Sequence, residues 1–516
     1  MTLPPPAAWP VSDPLPAASA DVLRERARAT PEATALVDTD SDSALTYGAF
    51  DRRVDAWSVA VADAVAADAE RIGIALPTGL AFATAYFAVV RQNWTAVPLN
   101  LREDEATVEK QAAAADLDAV LCSRATADFG RAIAPADAVV LSIDGAGDDG
   151  VTAFQPRTSE ADSDVATAAD RDTERLVLFT SGTTGDPKGV RLTRGNLLAS
   201  AVGSADRLGV ESGDRWLVCL PMYHMGGLAP LVRSTLYGTT TVLQPEFDAA
   251  ATATVLDEDD VTGVSLVPTQ LTRLLDEGWT PPASLRFVLL GGAPARPALI
   301  ERCGEVGVPV YPTYGTTETA SQITTATPAE AFDDPETVGR PLRGTTVTVI
   351  DDGSECRPET PGELVVSGPT VTPGYLDDAQ TAAAVDDRGF HTGDVGYRDA
   401  DGRYVVVGRV DDQIVTGGEN VQPATVVQAL EAQPAVAAAA VVGVPDPEWG
   451  ERVAAVVVPA TSDCTVEGIR TTVGETLADF AVPKTIELVE TLPRTASGTV
   501  DRERVREIVV DSPSGR

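Results

Sequence analysis

Hydroxyls, glycines and a single lysine are concentrated in Thr180-Ser181-Gly182-Thr183-Thr184-Gly185-Asp186-Pro187-Lys188-Gly189. Gly182, Gly185 and Gly189 let the backbone turn tightly. The hydroxyls of Thr180, Ser181, Thr183 and Thr184 add donors beside exposed amides, so the loop can wrap a phosphate chain, and Lys188 adds a point charge. It is not the loop of the P-loop NTPases, which needs Gly-Lys-Ser/Thr in succession, whereas here Lys188 follows Pro187. The plainer alternative is a Ser/Thr/Gly surface loop with a chance lysine.

A second cluster, Tyr314-Gly315-Thr316-Thr317-Glu318-Thr319, places an aromatic ring that can stack on a base, hydroxyls for phosphate and a carboxylate for a hard cation within five positions. Paired glycines in Leu290-Gly291-Gly292-Ala293-Pro294 permit close backbone approach to a flat ligand. Another apolar run ends in Tyr223-His224-Met225-Gly226-Gly227. His224 reads either as a packed, satisfied imidazole or as a pocket residue able to bind and orient near neutral pH. Arg233 sits in an otherwise apolar stretch and has two readings as well. It either snorkels to solvent or pairs with an anionic substrate through its guanidinium fork.

These loops need a scaffold that brings their ends together. Leu176-Val177-Leu178-Phe179 reads as a buried strand that delivers the first loop at its carboxyl end, where ligands bind in α/β sheets. Upstream, Thr34–Asp38 and Leu45–Tyr47 read as strands, Gly48–Ala67 as an amphipathic helix, Arg71–Pro77 as a strand, and Ala96–Leu99 as another after an Ala/Phe-rich helix. A first helix is expected over Asp21–Arg28 with Ser19 as its cap. Such alternation predicts α/β architecture with a parallel, doubly wound sheet. Asp144 to Glu174 turns acidic and aperiodic and reads as a solvated connection. A helix over Leu192–Leu208 would turn its N-terminal amides toward bound phosphates. Thr345–Gly368 reads as a β-rich subdomain, and Val421–Arg516 as a small α+β domain.

Across 516 residues, 77 acidic against 39 basic side chains leave a net charge of −38. Lysine occurs only at Lys110, Lys188 and Lys484. A field this negative argues against nucleic acid and anionic membranes as partners, and it makes the fold depend on salt screening. The composition is that of a cytoplasmic protein from a salt-accumulating halophile. No membrane span or secretory signal is indicated. Five scattered cysteines without a CxxC suggest neither a disulfide framework nor a zinc site, and two histidines, His224 and His391, exclude or nearly exclude a site that needs two or three imidazoles. Oligomeric state leaves no mark on the sequence.

Thr-Ser-Gly-Thr-Thr-Gly-Asp-Pro-Lys-Gly resembles the phosphate loop of the acyl-adenylate-forming enzymes, which include acyl-CoA synthetases. Tyr314–Thr319, Gly393-Asp394 and Gly408-Arg409 extend the resemblance over nearly the whole chain. It implies a large N-terminal domain over residues 1–409, a mobile C-terminal lid over 410–516 hinged at Asp411, and ATP, Mg²⁺ and coenzyme A as cofactors or cosubstrates. Tyr314, with Gly292, Ala293 and Gly315, would line the adenine pocket. Thr317 would meet the α-phosphate, Glu318 and Thr184 the metal, Asp394 and Arg409 the ribose, and Gly418 the CoA arm. Lys188, Thr184, Glu318 and His224 would be the catalytic set, while His391 is structural.

The reaction implied is attack of a carboxylate on the α-phosphorus of ATP, followed by transfer of the acyl group to the CoA thiol. The first step needs no general base, because a carboxylic acid is already ionised at pH 7. Around His224, Arg233-Ser234 and Tyr314–Ile323 the sequence looks most like the 2-succinylbenzoate:CoA ligases of menaquinone synthesis. Their substrate carries a second carboxylate, for which Arg233 and Ser321-Gln322 are candidates, with His224 a further substrate-binding residue. A fatty or aromatic acid:CoA ligase is the alternative. A nucleotide-binding protein with impaired adenylation is the other.

That last alternative arises from one departure. The family's lid lysine lies in a phrase like Pro-Arg-Thr-Ala-Ser-Gly-Lys, and here Pro493-Arg494-Thr495-Ala496-Ser497-Gly498 runs into Thr499. A nearby arginine such as Arg502 is the candidate substitute. Losing one preorganised donor costs on the order of 10²–10³ in rate. Thr499→Lys should therefore raise acid-dependent pyrophosphate exchange by up to about that factor; an unchanged rate would show that another cation already fills the slot.

Overall fold

The computed structural model describes residues 21–145, 150–154, 156, 170–180, 187–447, 449–461, 464–494 and 500–511. Two compact units emerge. One runs to Val347 and takes in Val366–Phe390; the other joins Thr348–Val365 to the chain from His391 onward.

The first unit is built on two large sheets, as the alternation predicts. Val310–Tyr314, Phe287–Leu290, Gly263–Leu266, Arg215–Val218, Thr240–Leu243 and Thr34–Asp38 lie side by side and parallel, with antiparallel strands at both edges. In the second sheet Glu174–Thr180, Thr95–Pro98, Arg71–Ala75, Ala119–Cys122 and Val139–Ser142 are parallel. Runs such as Phe287–Leu290 and Ala119–Cys122 are wholly buried, because helices cover both faces of a parallel sheet. Thr152–Ala153 adds a parallel strand beside Val139–Ser142, so the acidic connection is not entirely irregular. Its residues 146–149, 155 and 157–169 lie outside the described residues.

Beyond the expected pattern, Lys188–Thr193 is a strand, antiparallel to Glu174–Thr180, and Gly374–Tyr375 pairs with it in turn. The helix that follows spans Arg194–Leu208 and is capped by Thr193 and Asn196 in a capping box. Six residues of strand put its N-terminus about 20 Å from the loop. Its amides therefore do not serve the phosphates, contrary to the expectation for Leu192–Leu208. Thr180 and Lys188, which flank residues 181–186, face each other on the paired strands.

Asp21, rather than Ser19, caps the first helix, Val22–Ala29, by accepting from the Arg24 amide; Ser19 is outside the described residues. From this helix the buried Arg26 donates to the carbonyls of Thr235 and Leu236 and ties it to the helix Met225–Tyr237. Arg91, with 2% of its side chain exposed, joins Asp21 at 2.6 Å, Asp51, and Asp55 at 3.5 Å.

In the second unit a five-stranded sheet includes Gly362–Ser367, Phe390–Arg398 and Tyr404–Arg409. A C-terminal sheet pairs Val436–Asp446 with Gly450–Pro459, flanked by the helices Pro423–Glu431, Val466–Gly474 and Arg502–Asp511. Among the described residues no helix is long and apolar enough to cross a membrane, and every cysteine is free.

Arg91→Met would leave Asp21, Asp51 and Asp55 without the cation that joins all three. Breaking a buried ion cluster in this way costs about 3 kcal/mol. The denaturation midpoint at constant KCl should fall accordingly, and an unchanged midpoint would show that solvent already screens the cluster.

Candidate functional site

The hairpin register sets Thr180 directly opposite Lys188, so both strands deliver the loop between them. Ser181, Gly182, Thr183, Thr184 and Gly185 lie outside the described residues. Lys188 Nζ lies 5.6 Å from the ring centroid of Tyr375. The buried Tyr375 in turn donates its hydroxyl to Glu318 Oε1 at 2.9 Å. Next along the chain, the Thr372 amide donates to the Glu318 carbonyl at 2.7 Å. Among the described residues Glu318 Oε2 has no hydrogen-bond or ion-pair partner. No cluster of three or more His, Cys, Asp or Glu able to hold a metal occurs among them either. A cation at Glu318 would therefore be held by one carboxylate and by oxygens of its ligand, which is how magnesium sits on phosphates.

Glu318 belongs to a tight structure. Val310–Tyr314 lies beside Phe287–Leu290, with Leu290 opposite Pro312, so Gly291-Gly292-Ala293 and Tyr314-Gly315 leave the same sheet edge as neighbours. Gly292 adopts φ +78°, where a side chain is strained. A Cβ on Gly315 would lie 1.7 Å from the Ser321 carbonyl oxygen. The short 3₁₀ turn Thr317–Thr319 is capped by Thr316, and Ala320 and Ser321 follow with φ of +52° and +109°. The structure thus gathers Lys188, Gly292, Ala293, Tyr314, Gly315, Thr317 and Glu318 around the carboxyl ends of two sheets.

Met225–Tyr237 starts at His224 and lies across this edge, anchored by the Met222 amide to Thr78 Oγ1 at 2.9 Å. Although His224 is exposed, surrounding protein desolvates the ring and lowers its pKa, while Glu103 raises it and Arg102 lowers it further. Desolvation, the largest of these effects, favours the neutral imidazole. Arg233 does not snorkel: it is 2% exposed. Its Nη2 donates to Ser200 Oγ at 2.9 Å, Trp216 lies 6.0 Å from the guanidinium carbon, and Ser200 Oγ donates to the Ala320 carbonyl at 2.7 Å. Arg233 Nε has no partner and no carboxylate among the described residues pairs with the group. Burial lowers its pKa and Tyr237 raises it. A buried, uncompensated guanidinium is costly and is suited to receiving an anion. Ser200 links it to the Ala320–Ser321 turn. Gln322 is buried with its amide on Thr325, and its Oε1 has no partner.

In the second unit Asp394 and Arg409 are opposite each other on paired strands, with Nη1 and Oδ1 2.9 Å apart. His391 Nδ1 is 2.8 Å from Glu363, whose other oxygen accepts from the Gly393 amide. Gly418, φ +85°, sits at the hairpin turn between Ile414–Thr416 and Glu419–Val421. Thr499 lies outside the described residues. Arg502, its candidate substitute, is engaged in an ion pair with Asp412.

Sequence reasoning missed Tyr375, Thr372 and Ser200. Each is a polar residue in a stretch without chemical patterning, and only tertiary pairing brings them to Glu318 and Arg233.

A family model described as AMP-binding enzyme matches residues 23–376, and one for the AMP-binding enzyme C-terminal domain matches 426–499. The 2-succinylbenzoate–CoA ligase of Bacillus mycoides (strain KBAB4) is 44% identical over 337 residues, covering 64% of this chain and 70% of that protein. The o-succinylbenzoate CoA synthetase of Bacillus subtilis, in complex with the acyl-adenylate intermediate, superposes with a TM-score of 0.84 at 31% identity, over 96% of this chain and 99% of that one. The amide bond synthetase McbA of Marinactinospora thermotolerans superposes with a TM-score of 0.86 at 27% identity, over 95% and 99%.

Gly315→Ala must push the Tyr314–Ser321 turn aside. It should weaken ATP binding by about tenfold or more, equivalent to roughly 1.4 kcal/mol, in a fluorescent-nucleotide titration. Unchanged affinity would place the nucleotide elsewhere.

Proposed function

We propose that this chain, which belongs to the AMP-binding enzymes, is an ATP-dependent acid:CoA ligase that converts 2-succinylbenzoate to 2-succinylbenzoyl-CoA for menaquinone biosynthesis. The observation that carries the choice of acid is Arg233, a buried cation without a counter-ion beside the Ala320–Ser321 turn. A substrate with two carboxylates supplies one to be activated and one to neutralise that charge, and an apolar tunnel for a fatty acid would not keep a guanidinium. Likeness to the Bacillus ligases supports the same reading.

In the first half-reaction a substrate carboxylate oxygen bonds to the α-phosphorus as the bond to pyrophosphate breaks. In the second, the CoA sulfur bonds to the acyl carbon, AMP departs and the thiol proton passes to solvent. The protein's task is placement and charge neutralisation. We assign Thr180, Ser181, Gly182, Thr183, Thr184 and Gly185 to the phosphates with Lys188, Tyr314 with Gly292, Ala293 and Gly315 to adenine, Thr317 to the α-phosphate, and Asp394 and Arg409 to the ribose. Magnesium, when bound, would neutralise phosphate oxygens; Glu318 Oε2 and Thr184 are the groups that would hold it. His224 orients the acid together with Arg233 and Ser321. Gly418 lies in the loop for the CoA arm, and the lid is assigned to residues 410–516 with Asp411 as its hinge. Composition supports a cytoplasmic, halophilic setting.

Pyrophosphate release in high KCl with 2-succinylbenzoate, benzoate and hexanoate tests the reading. Only the diacid should turn over well. Arg233→Leu should raise its KM about 10- to 100-fold, the cost of losing a charge-assisted hydrogen bond, and leave the monoacids unaffected. Silence across the panel with ATP still bound would favour a nucleotide-binding protein with impaired adenylation.

A further inference from the structure

We propose that Tyr375 is a positioning residue for both charges that meet the triphosphate, its hydroxyl setting Glu318 and its ring face setting Lys188, so that the two do not neutralise each other. The inference rests on the reading of Glu318 as the metal carboxylate.

Lys188 and Glu318 share Tyr375 as a neighbour yet form no ion pair with one another among the described residues. Opposite charges on flexible side chains that share one neighbour attract each other in a partly buried setting. An ion pair between them would use the oxygen meant for the cation and the ammonium meant for the phosphate. Tyr375 offers each charge a neutral alternative. Its hydroxyl donates to Oε1 at 2.9 Å, which leaves Oε2 to face a ligand. Its ring lies 5.6 Å from Nζ, within cation–π range.

The ring can do this because its own backbone is fixed on three sides. Tyr375 is 3% exposed and lies opposite Val190 in the sheet. Its amide donates to Thr381 Oγ1 at 2.8 Å, and the next amide, of Leu376, donates to the Gly189 carbonyl at 2.8 Å. The same short segment receives the Glu318 backbone through Thr372. Tyr375 thus bridges the hairpin that carries Lys188 and the turn that carries Glu318.

Two substitutions separate the two functions. Tyr375→Phe keeps the ring and removes the hydroxyl; Tyr375→Leu removes both. Binding of Mn²⁺ in the presence of ATP, followed by electron paramagnetic resonance, reads the Glu318 arm independently of turnover. Tyr375→Phe should weaken Mn²⁺ binding about tenfold and leave the KM for the acid unchanged. Tyr375→Leu should in addition lower kcat about tenfold further, as Lys188 turns to Glu318. The Tyr375→Phe effect should vanish in a Glu318→Gln background, because a residue acting through Glu318 has nothing left to position.

If Glu318→Gln weakens Mn²⁺ binding while Tyr375→Phe does not, the proposal is overturned and the metal assignment stands. If Glu318→Gln leaves binding unchanged, the metal assignment falls and takes the proposal with it. A Tyr375→Phe effect that persists undiminished in the Glu318→Gln background would mark a structural role and overturn the proposal as well.

Discussion

The antiparallel pairing of Gly374–Tyr375 with Lys188–Thr193 is the contact on which the site of the first unit depends. Lys188 belongs to the sheet built around Arg71–Ala75, and Glu318 follows the last parallel strand of the other sheet. Neither sheet alone brings this cation and this carboxylate to a common neighbour. The segment from Thr372 to Leu376 bonds to both, through Thr372 to the Glu318 carbonyl and through Leu376 to the Gly189 carbonyl. Other bonds work in parallel: Asn196 donates to the carbonyls of Pro369 and Val371, and Ser200 to that of Ala320. The crevice is a seam closed by backbone carbonyls, which offer fixed acceptors where side chains alone would wander.

Electrostatics then differ sharply between surface and interior. Acidic side chains are spread along the chain and repel one another, whereas the interior holds Arg233 with a hydroxyl and an indole for company. Retaining an uncompensated guanidinium opposes folding, and the Ser200 hydroxyl and Trp216 ring offset only part of that.

Much of this was legible in the order of residues. Strands buried on both faces, such as Arg71–Ala75 and Phe287–Leu290, announce themselves as apolar runs ending in glycine or polar turns. The neighbourhood of Gly292 and Tyr314 follows from the parallel rule once the strands are known. The Lys188–Thr193 strand was not legible, because Val190 and Leu192 fit a strand and the start of a helix equally well over so short a run. Arg233 could have pointed either way, since one arginine in an apolar helix does not reveal whether its tip reaches water. Tyr375 left no trace, because its importance comes from residues far away in sequence. Glu363, which holds both the His391 ring and the Gly393 amide, was not legible as their partner from 28 and 30 residues away.

Scarcity of lysine has a chemical corollary. An enzyme that makes acyl phosphate anhydrides generates electrophiles that attack amines, its own included. Here Lys484 rests on the Trp449 ring at 3.5 Å, Lys188 lies against Tyr375, and Lys110 is exposed on a helix of its own. A guanidinium stays protonated and is a poor nucleophile, so a chain with 3 lysines among its 39 basic residues offers escaping acyl groups few places to land.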